Sequence, residues 1–198
     1  FGFPFREEDV REELLQHVRT FAGSRRVRLL LSAHGGISVT STDLPPAGQE
    51  AVFNLVIAQE TTWSTDRFLF HKTTNRAFYD DTRQRYQAET GCQEVLFLNE
   101  NGYLTEGSYT TLFLKRNGSL LTPALRHGLL PGTFRAGLLE RGLASEADLT
   151  LQDLQEAEEV YVGNSVRGLI RARLLSEQAS GSWHMEVGQH NEATRKAG

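Results

Sequence analysis

The chain has 198 residues, 39% of them hydrophobic and 23% charged, with a formal net charge of −4. That balance fits an ordinary globular protein of one large domain or two small ones and excludes a disordered chain. It gives no basic footprint for nucleic acid, and no run approaches the eighteen apolar residues of a membrane span.

In chain order, the sequence opens at Phe1 rather than Met and shows no signal-peptide pattern. This leads us to expect further residues upstream, removed or belonging to a larger fused polypeptide. Residues 6 to 22 predict an amphipathic helix, with Val10, Leu14, Val18 and Phe21 on one face and Gly23 as its stop. Val27 to Leu31 and Ile37 to Val39 flank His34-Gly35-Gly36 and read as a hairpin. A strand from Phe53 to Ala58 follows the loop containing Pro45 and Pro46. Asn75 to Thr90 carries Phe78, Tyr79, Thr82 and Tyr86 at helical spacing and closes at Gly91. The single cysteine, Cys92, excludes an intrachain disulfide framework, suits a reducing cytoplasm and reads as structural. Hairpins are expected at Asn101-Gly102, between Glu94–Leu98 and Tyr103-Leu104, and at Asn117-Gly118, between Thr111–Leu114 and Leu120-Leu121. A helix from Phe134 to Arg141, an acidic helical piece from Leu151 to Ala157, and strands at Val160–Val162 and Leu169–Leu175 complete the pattern. The tail after Gly188 is polar and expected to fray. The fold class expected is α+β. A small domain with antiparallel strands, N-terminally incomplete, covers residues 1–70, and a larger domain of mostly antiparallel strands with helices covers 71–198.

Lys72 follows the apolar run Phe68-Leu69-Phe70 and opens a helix-like segment. A lysine that acts as a nucleophile needs a partly neutral amine, which desolvation or a nearby cation such as Arg76 supplies. Glu106 ends a strand-like run, where a carboxylate can keep a pyridine nitrogen protonated. Pro131-Gly132-Thr133 precedes a helix whose first N–H groups and dipole suit a phosphate dianion. Gly163-Asn164-Ser165 follows a strand and offers further donors. Each feature alone has a plainer reading as a surface charge, a strand end, a helix cap or a turn. Together, an amine, a carboxylate and two anion-cradling turns are the parts needed to hold pyridoxal 5'-phosphate. No metal site is expected.

These segments resemble the class IV pyridoxal-phosphate aminotransferase family, fold type IV. The resemblance runs from the first helix to about Leu175 and rests on Lys72, Glu106-Gly-Ser-Tyr-Thr-Thr-Leu-Phe113, Leu130-Pro-Gly-Thr-Phe-Arg135 and Gly163-Asn-Ser165. It implies that Lys72 forms the Schiff base with the cofactor and that Glu106 partners the pyridine nitrogen. It further implies that Gly132, Thr133, Phe134, Asn164 and Ser165 hold the phosphate. The family commonly has Asn where this chain has Thr111, and a phosphate-binding arginine expected from the small domain would lie upstream of Phe1.

Within the family, Lys72-Thr-Thr-Asn-Arg76 and Val162-Gly-Asn-Ser-Val-Arg-Gly-Leu169 are most similar to the aminodeoxychorismate lyase branch, especially where it is fused to the chorismate-aminating component of para-aminobenzoate synthase. Branched-chain aminotransferases usually place a cofactor-contacting tyrosine where Arg76 stands. The resemblance therefore implies a cytoplasmic homodimer that converts 4-amino-4-deoxychorismate to 4-aminobenzoate and pyruvate. An amino-acid aminotransferase using the same residues, or a non-catalytic relic serving as a binding module, are the alternatives. A small substrate with two carboxylates calls for cations, and Arg167 is the first candidate, then Arg76, then Arg126 with His127.

Overall fold

Three acids, Glu7, Glu8 and Asp9, open helix α1 (Glu7–Val18), where they complement the positive end of the helix dipole. The helix stops at Val18 rather than reaching residue 22, because the Phe21 N–H turns back to the Val18 carbonyl and the Thr20 hydroxyl donates to the His17 carbonyl. Strands β1 (Arg25–Leu31) and β2 (Ile37–Asp43) then pair antiparallel from Arg25↔Asp43 to Leu31↔Ile37. The computed structural model describes residues 1–44 and 52–175. The loop with Pro45 and Pro46 and the tail after Gly188 lie outside the described residues.

The chain divides into two units, Phe1–Gln49 and Glu50–Gly198. The division falls earlier than residue 70, because strand β3 (Phe53–Thr62) belongs to the larger sheet. It pairs in parallel with β4 (Glu94–Asn99) and with β10 (Gly168–Leu174), partners that lie far along the chain.

The larger unit is an eight-stranded sheet in the order β5-β4-β3-β10-β9-β6-β7-β8. Its remaining strands are β5 (Leu104–Gly107), β6 (Thr111–Arg116), β7 (Ser119–Pro123), β8 (Ala144–Ala147) and β9 (Glu159–Asn164). Strand β5 also pairs with β6, through Glu106↔Thr111, so β5, β4, β3, β10, β9 and β6 close into a ring. Parallel pairing is limited to β3 with its two neighbours and β7 with β8; the other pairings are antiparallel. Strand β8 went unpredicted because Ala144-Ser-Glu-Ala147 has no apolar alternation, and its place is set by register against Leu120–Pro123.

Alternation along the strands divides the core in two. Leu55, Ile57, Leu96, Leu112, Leu114 and Val162 share one buried cluster, while Val56, Ala58, Val95 and Phe97 point the other way. Helix α2 (Ala77–Thr90) covers the second group with Tyr79 and Tyr86, and Cys92 is buried beside them. Gly91 ends α2 in the left-handed conformation that the sequence assigns to it. Helix α3 (Thr133–Glu140) lays Leu138 and Phe134 against Phe113, and α4 (Leu151–Glu156) starts at a capping box between Thr150 and Asp153. Asn117 and Gly118 both have positive φ, the type I′ turn expected between β6 and β7.

Two glycines separate backbone preference from packing. Gly118 has φ +75 with nothing near a would-be Cβ, whereas Gly128 has φ +83 and its Cβ would lie 2.7 Å from the Ser64 Cα. In urea denaturation, Gly118→Ala should cost about 1 kcal/mol and Gly128→Ala about 2–4 kcal/mol. Equal losses at the two sites would contradict the packing of the 124–130 loop against Ser64.

Candidate active site

The Glu106 side chain is half-buried at the point where the ring closes. The Leu130 N–H donates to one of its oxygens at 3.2 Å and the Tyr79 hydroxyl to the other at 3.2 Å. Burial outweighs these donors and the nearby Arg76 charge, and pushes the Glu106 carboxyl up to about 7. The Tyr79 phenol is raised above its ordinary range, first by its own burial and then by the Glu106 charge. A carboxyl in this setting gains from a cationic donor brought against it, as a protonated pyridine nitrogen would be.

Arg76 is the N-cap residue of α2. Its guanidinium donates to the Ser108 carbonyl, lies 5.4 Å from the centre of the Tyr79 ring, and pairs with Asp80 at 3.7 Å. Arg76 and Glu106 are thus brought together across Tyr79. Lys72 lies on the link between β3 and α2, exposed, and makes no hydrogen bond or ion pair among the described residues. The apolar run before it does not desolvate it within this chain: a short 3-10 turn at Arg67–Phe70 buries Leu69 and leaves Phe68 exposed.

The two anion-cradling turns meet. Thr133, the first residue of α3, has its hydroxyl 3.0 Å from that of Ser165. Thr111 joins these turns to Glu106. It pairs with Glu106 on one side and Gly163 on the other, and its hydroxyl would lie 3.8 Å from a Cβ added at Gly132. Among the described residues no clash demands a glycine at 132, since a Cβ there would make only ordinary contact with Thr111. Gly163 differs: a Cβ would lie 2.7 Å from the Gly168 carbonyl oxygen and 2.8 Å from the Phe134 ring, so Phe134 packs directly on the β9 backbone. The Asn164 side-chain oxygen Oδ1 accepts from the Val166 and Arg167 N–H groups, and its side-chain amide donates to the Tyr109 carbonyl at 3.4 Å. Its side chain therefore shapes the turn.

Among the candidate substrate cations, Arg167 is exposed, with no side-chain hydrogen bond or ion pair among the described residues. Arg126 and His127 both take Asp148 as partner, and His127 is buried, stacked on Tyr103 at 4.3 Å. Arg135 of the Leu-Pro-Gly motif is 2% exposed, bonded to the Pro123 carbonyl and paired with Glu146, so it ties α3 to the ends of β7 and β8.

Sequence reasoning missed Glu94, which is fully buried. Its carboxylate accepts from the Val95, Ser108 and Tyr109 N–H groups and from the Ser108 and Thr110 hydroxyls. The available signal was an acid opening an otherwise apolar strand. The role of Tyr79 was hidden in the same way, since at helical spacing it reads as core.

A family model described as amino-transferase class IV matches residues 1–175. A Schizosaccharomyces pombe protein named "Putative aminodeoxychorismate lyase" is 32% identical over 180 residues, covering 88% of this chain and 77% of the relative. A Mesorhizobium loti structure described as a "Putative amino-acid aminotransferase" superposes with a TM-score of 0.84 at 36% identity, covering 88% of this chain and 84% of that one. A Legionella pneumophila structure described as a "Putative 4-amino-4-deoxychorismate lyase" shares the fold, with a TM-score of 0.73 at 23% identity over 89% of this chain and 72% of that one. The chain belongs to the class IV aminotransferase family, whose cofactor is pyridoxal 5'-phosphate.

The raised Glu106 carboxyl makes a prediction for the cofactor-free chain. Its folded value of about 7 exceeds the ordinary 4.5, so its stabilising effect is full below pH 4.5 and is lost as pH rises through 7. Chemical denaturation of E106Q and wild type should therefore show the difference moving ~1–3 kcal/mol in the variant's favour between about pH 4.5 and about pH 8. A difference independent of pH would contradict the burial of this group.

Proposed function

We propose that this chain is a lyase that splits 4-amino-4-deoxychorismate into 4-aminobenzoate and pyruvate. When bound, pyridoxal phosphate draws electrons from the carbon bearing the substrate amine and makes its C–H acidic. Thr133, Ser165, Gly132 and the first N–H groups of α3 would receive the phosphate, with Phe134 packed on β9 and Asn164 shaping the turn. The Glu106 carboxylate would hold a proton on the ring nitrogen. Lys72 would hold the cofactor covalently through Nζ, and that amine would take the proton from the amine-bearing carbon. The electrons of that C–H bond then form a ring double bond while the neighbouring C–O bond breaks, and the ring becomes aromatic. The departing enolpyruvate gains a proton at its methylene carbon, from Lys72 Nζ or water, and leaves as pyruvate.

Arg76 is the observation that carries this reading over amine transfer. It puts a fixed cation beside Glu106, where the Ser108 carbonyl and the Tyr79 ring hold it. Such a cation suits a substrate with two carboxylates, and Arg167, exposed and without an ion pair among the described residues, is the first candidate for the second one. The similarity to the fission-yeast relative supports the same reading. The Mesorhizobium loti relative favours a second one, transfer of an amine to a 2-oxo acid by the same Lys72 and Glu106.

Incubation of the cofactor-loaded protein with aminodeoxychorismate separates the two. The lyase reading expects pyruvate and 4-aminobenzoate in equal amounts, and Lys72→Ala should lower the rate by at least roughly a thousandfold. Amination of 2-oxoglutarate from an amino-acid donor, without pyruvate release from aminodeoxychorismate, would select the aminotransferase instead.

A further inference from the structure

We propose that Glu94 is a positioning residue for the cofactor site. Its carboxylate holds the turn at residues 107–110 in the one shape that fixes Arg76 beside Glu106 and receives Asn164. The inference rests on Glu106 and Arg76 belonging to that site, and not on which reaction follows.

Glu94 hydrogen-bonds to neither Glu106 nor Arg76, and apart from the push its charge gives the Glu106 carboxyl, its hold on them runs through the turn between. Its five donors come from its own strand neighbour Val95 and from Ser108, Tyr109 and Thr110, the residues that follow Glu106-Gly107. The turn it holds does three things. Its start fixes the end of β5, where Glu106 pairs with Thr111. The Ser108 carbonyl, fixed because the N–H and hydroxyl of the same residue are both bound to Glu94, accepts from Arg76. The Tyr109 carbonyl accepts from the Asn164 amide at 3.4 Å. Residues on β5, α2 and β9 thus take their places from one carboxylate.

Gly107 belongs to the same device. A Cβ there would lie 2.5 Å from the Thr110 hydroxyl oxygen and 2.7 Å from a Glu94 oxygen, so the glycine lets the turn close over the carboxylate. Glu94 must also be an acceptor on both oxygens. One faces the Val95 and Ser108 N–H groups, and the other faces the Tyr109 N–H and the Thr110 hydroxyl. A glutamine keeps the volume but turns one acceptor into an NH₂ group that meets donors.

The test is a double-mutant cycle on cofactor affinity, read by absorbance titration with pyridoxal phosphate, for wild type, E94Q, R76A and E94Q/R76A. Thermal melts of the cofactor-free proteins run alongside. If Glu94 acts through Arg76, E94Q and R76A should each raise Kd roughly tenfold, and the double variant should be no worse than the weaker-binding single one. Thr110→Val keeps the Glu94 charge and loosens the turn, so it should move the pH at which the bound cofactor's absorption band changes in the same direction as R76A, which a loss of stability alone would not cause. Should E94Q fail to fold, Thr110→Val removes one donor at constant volume and should raise Kd by roughly threefold with the same non-additivity against R76A. Wild-type affinity in E94Q, or penalties that multiply in the double variant, would overturn the proposal. Failure of wild type itself to bind the cofactor would instead sink the site reading on which it rests.

Discussion

A carboxylate taken wholly out of water is costly by several kcal/mol unless donors surround it, and Glu94 is such a group. Its burial pushes the acid up while the hydrogen bonds from Ser108, Thr110, Val95 and Tyr109 pull it down. The compensation is local and geometric: the 107–110 turn brings donors from Ser108, Tyr109 and Thr110 to one carboxylate. That turn lies where the sheet closes on itself, between β5 and β6. The need to satisfy one buried charge therefore fixes the part of the fold that holds Glu106 and Arg76.

From that turn the site is assembled by strand register and not by sequence proximity. Glu106 faces Thr111, Thr111 faces Gly163, and Gly163 packs on Phe134 at the head of α3. Arg76 and Tyr79 approach from α2, the crossover between the parallel strands β3 and β4. The division of labour is clear. Buried or paired residues such as Glu94, Arg135 and His127 hold the frame, while Lys72 and Arg167 remain exposed and unpaired among the described residues.

Local rules were readable wherever a single residue type enforces a backbone shape. Gly91 stops α2 and Asn117-Gly118 turns β6 into β7 as their chemistry requires. The segments proposed to form the site were readable as candidates because glycine, proline and a lone acid punctuate apolar runs at Lys72, Glu106, Gly132 and Gly163. Properties that depend on distant partners were not. Strand β3 joins the larger sheet through β4 and β10, which moves the border away from residue 70, and β8 exists only as a register against β7. Glu94 escaped notice because a strand-opening acid looks the same whether it meets water or five donors. Arg126 and His127 looked like free cations until Asp148 was seen to take both.

The central claim is that Lys72 is the residue that bonds pyridoxal phosphate, in a site whose ring-nitrogen partner is Glu106. Borohydride reduction of the protein mixed with the cofactor, followed by proteolysis and mass mapping, tests it most directly. The account predicts one phosphopyridoxyl group per chain, on the peptide containing Lys72, and none on that peptide in Lys72→Ala. Labelling spread over Lys115 and other surface lysines, or none at all, would contradict it.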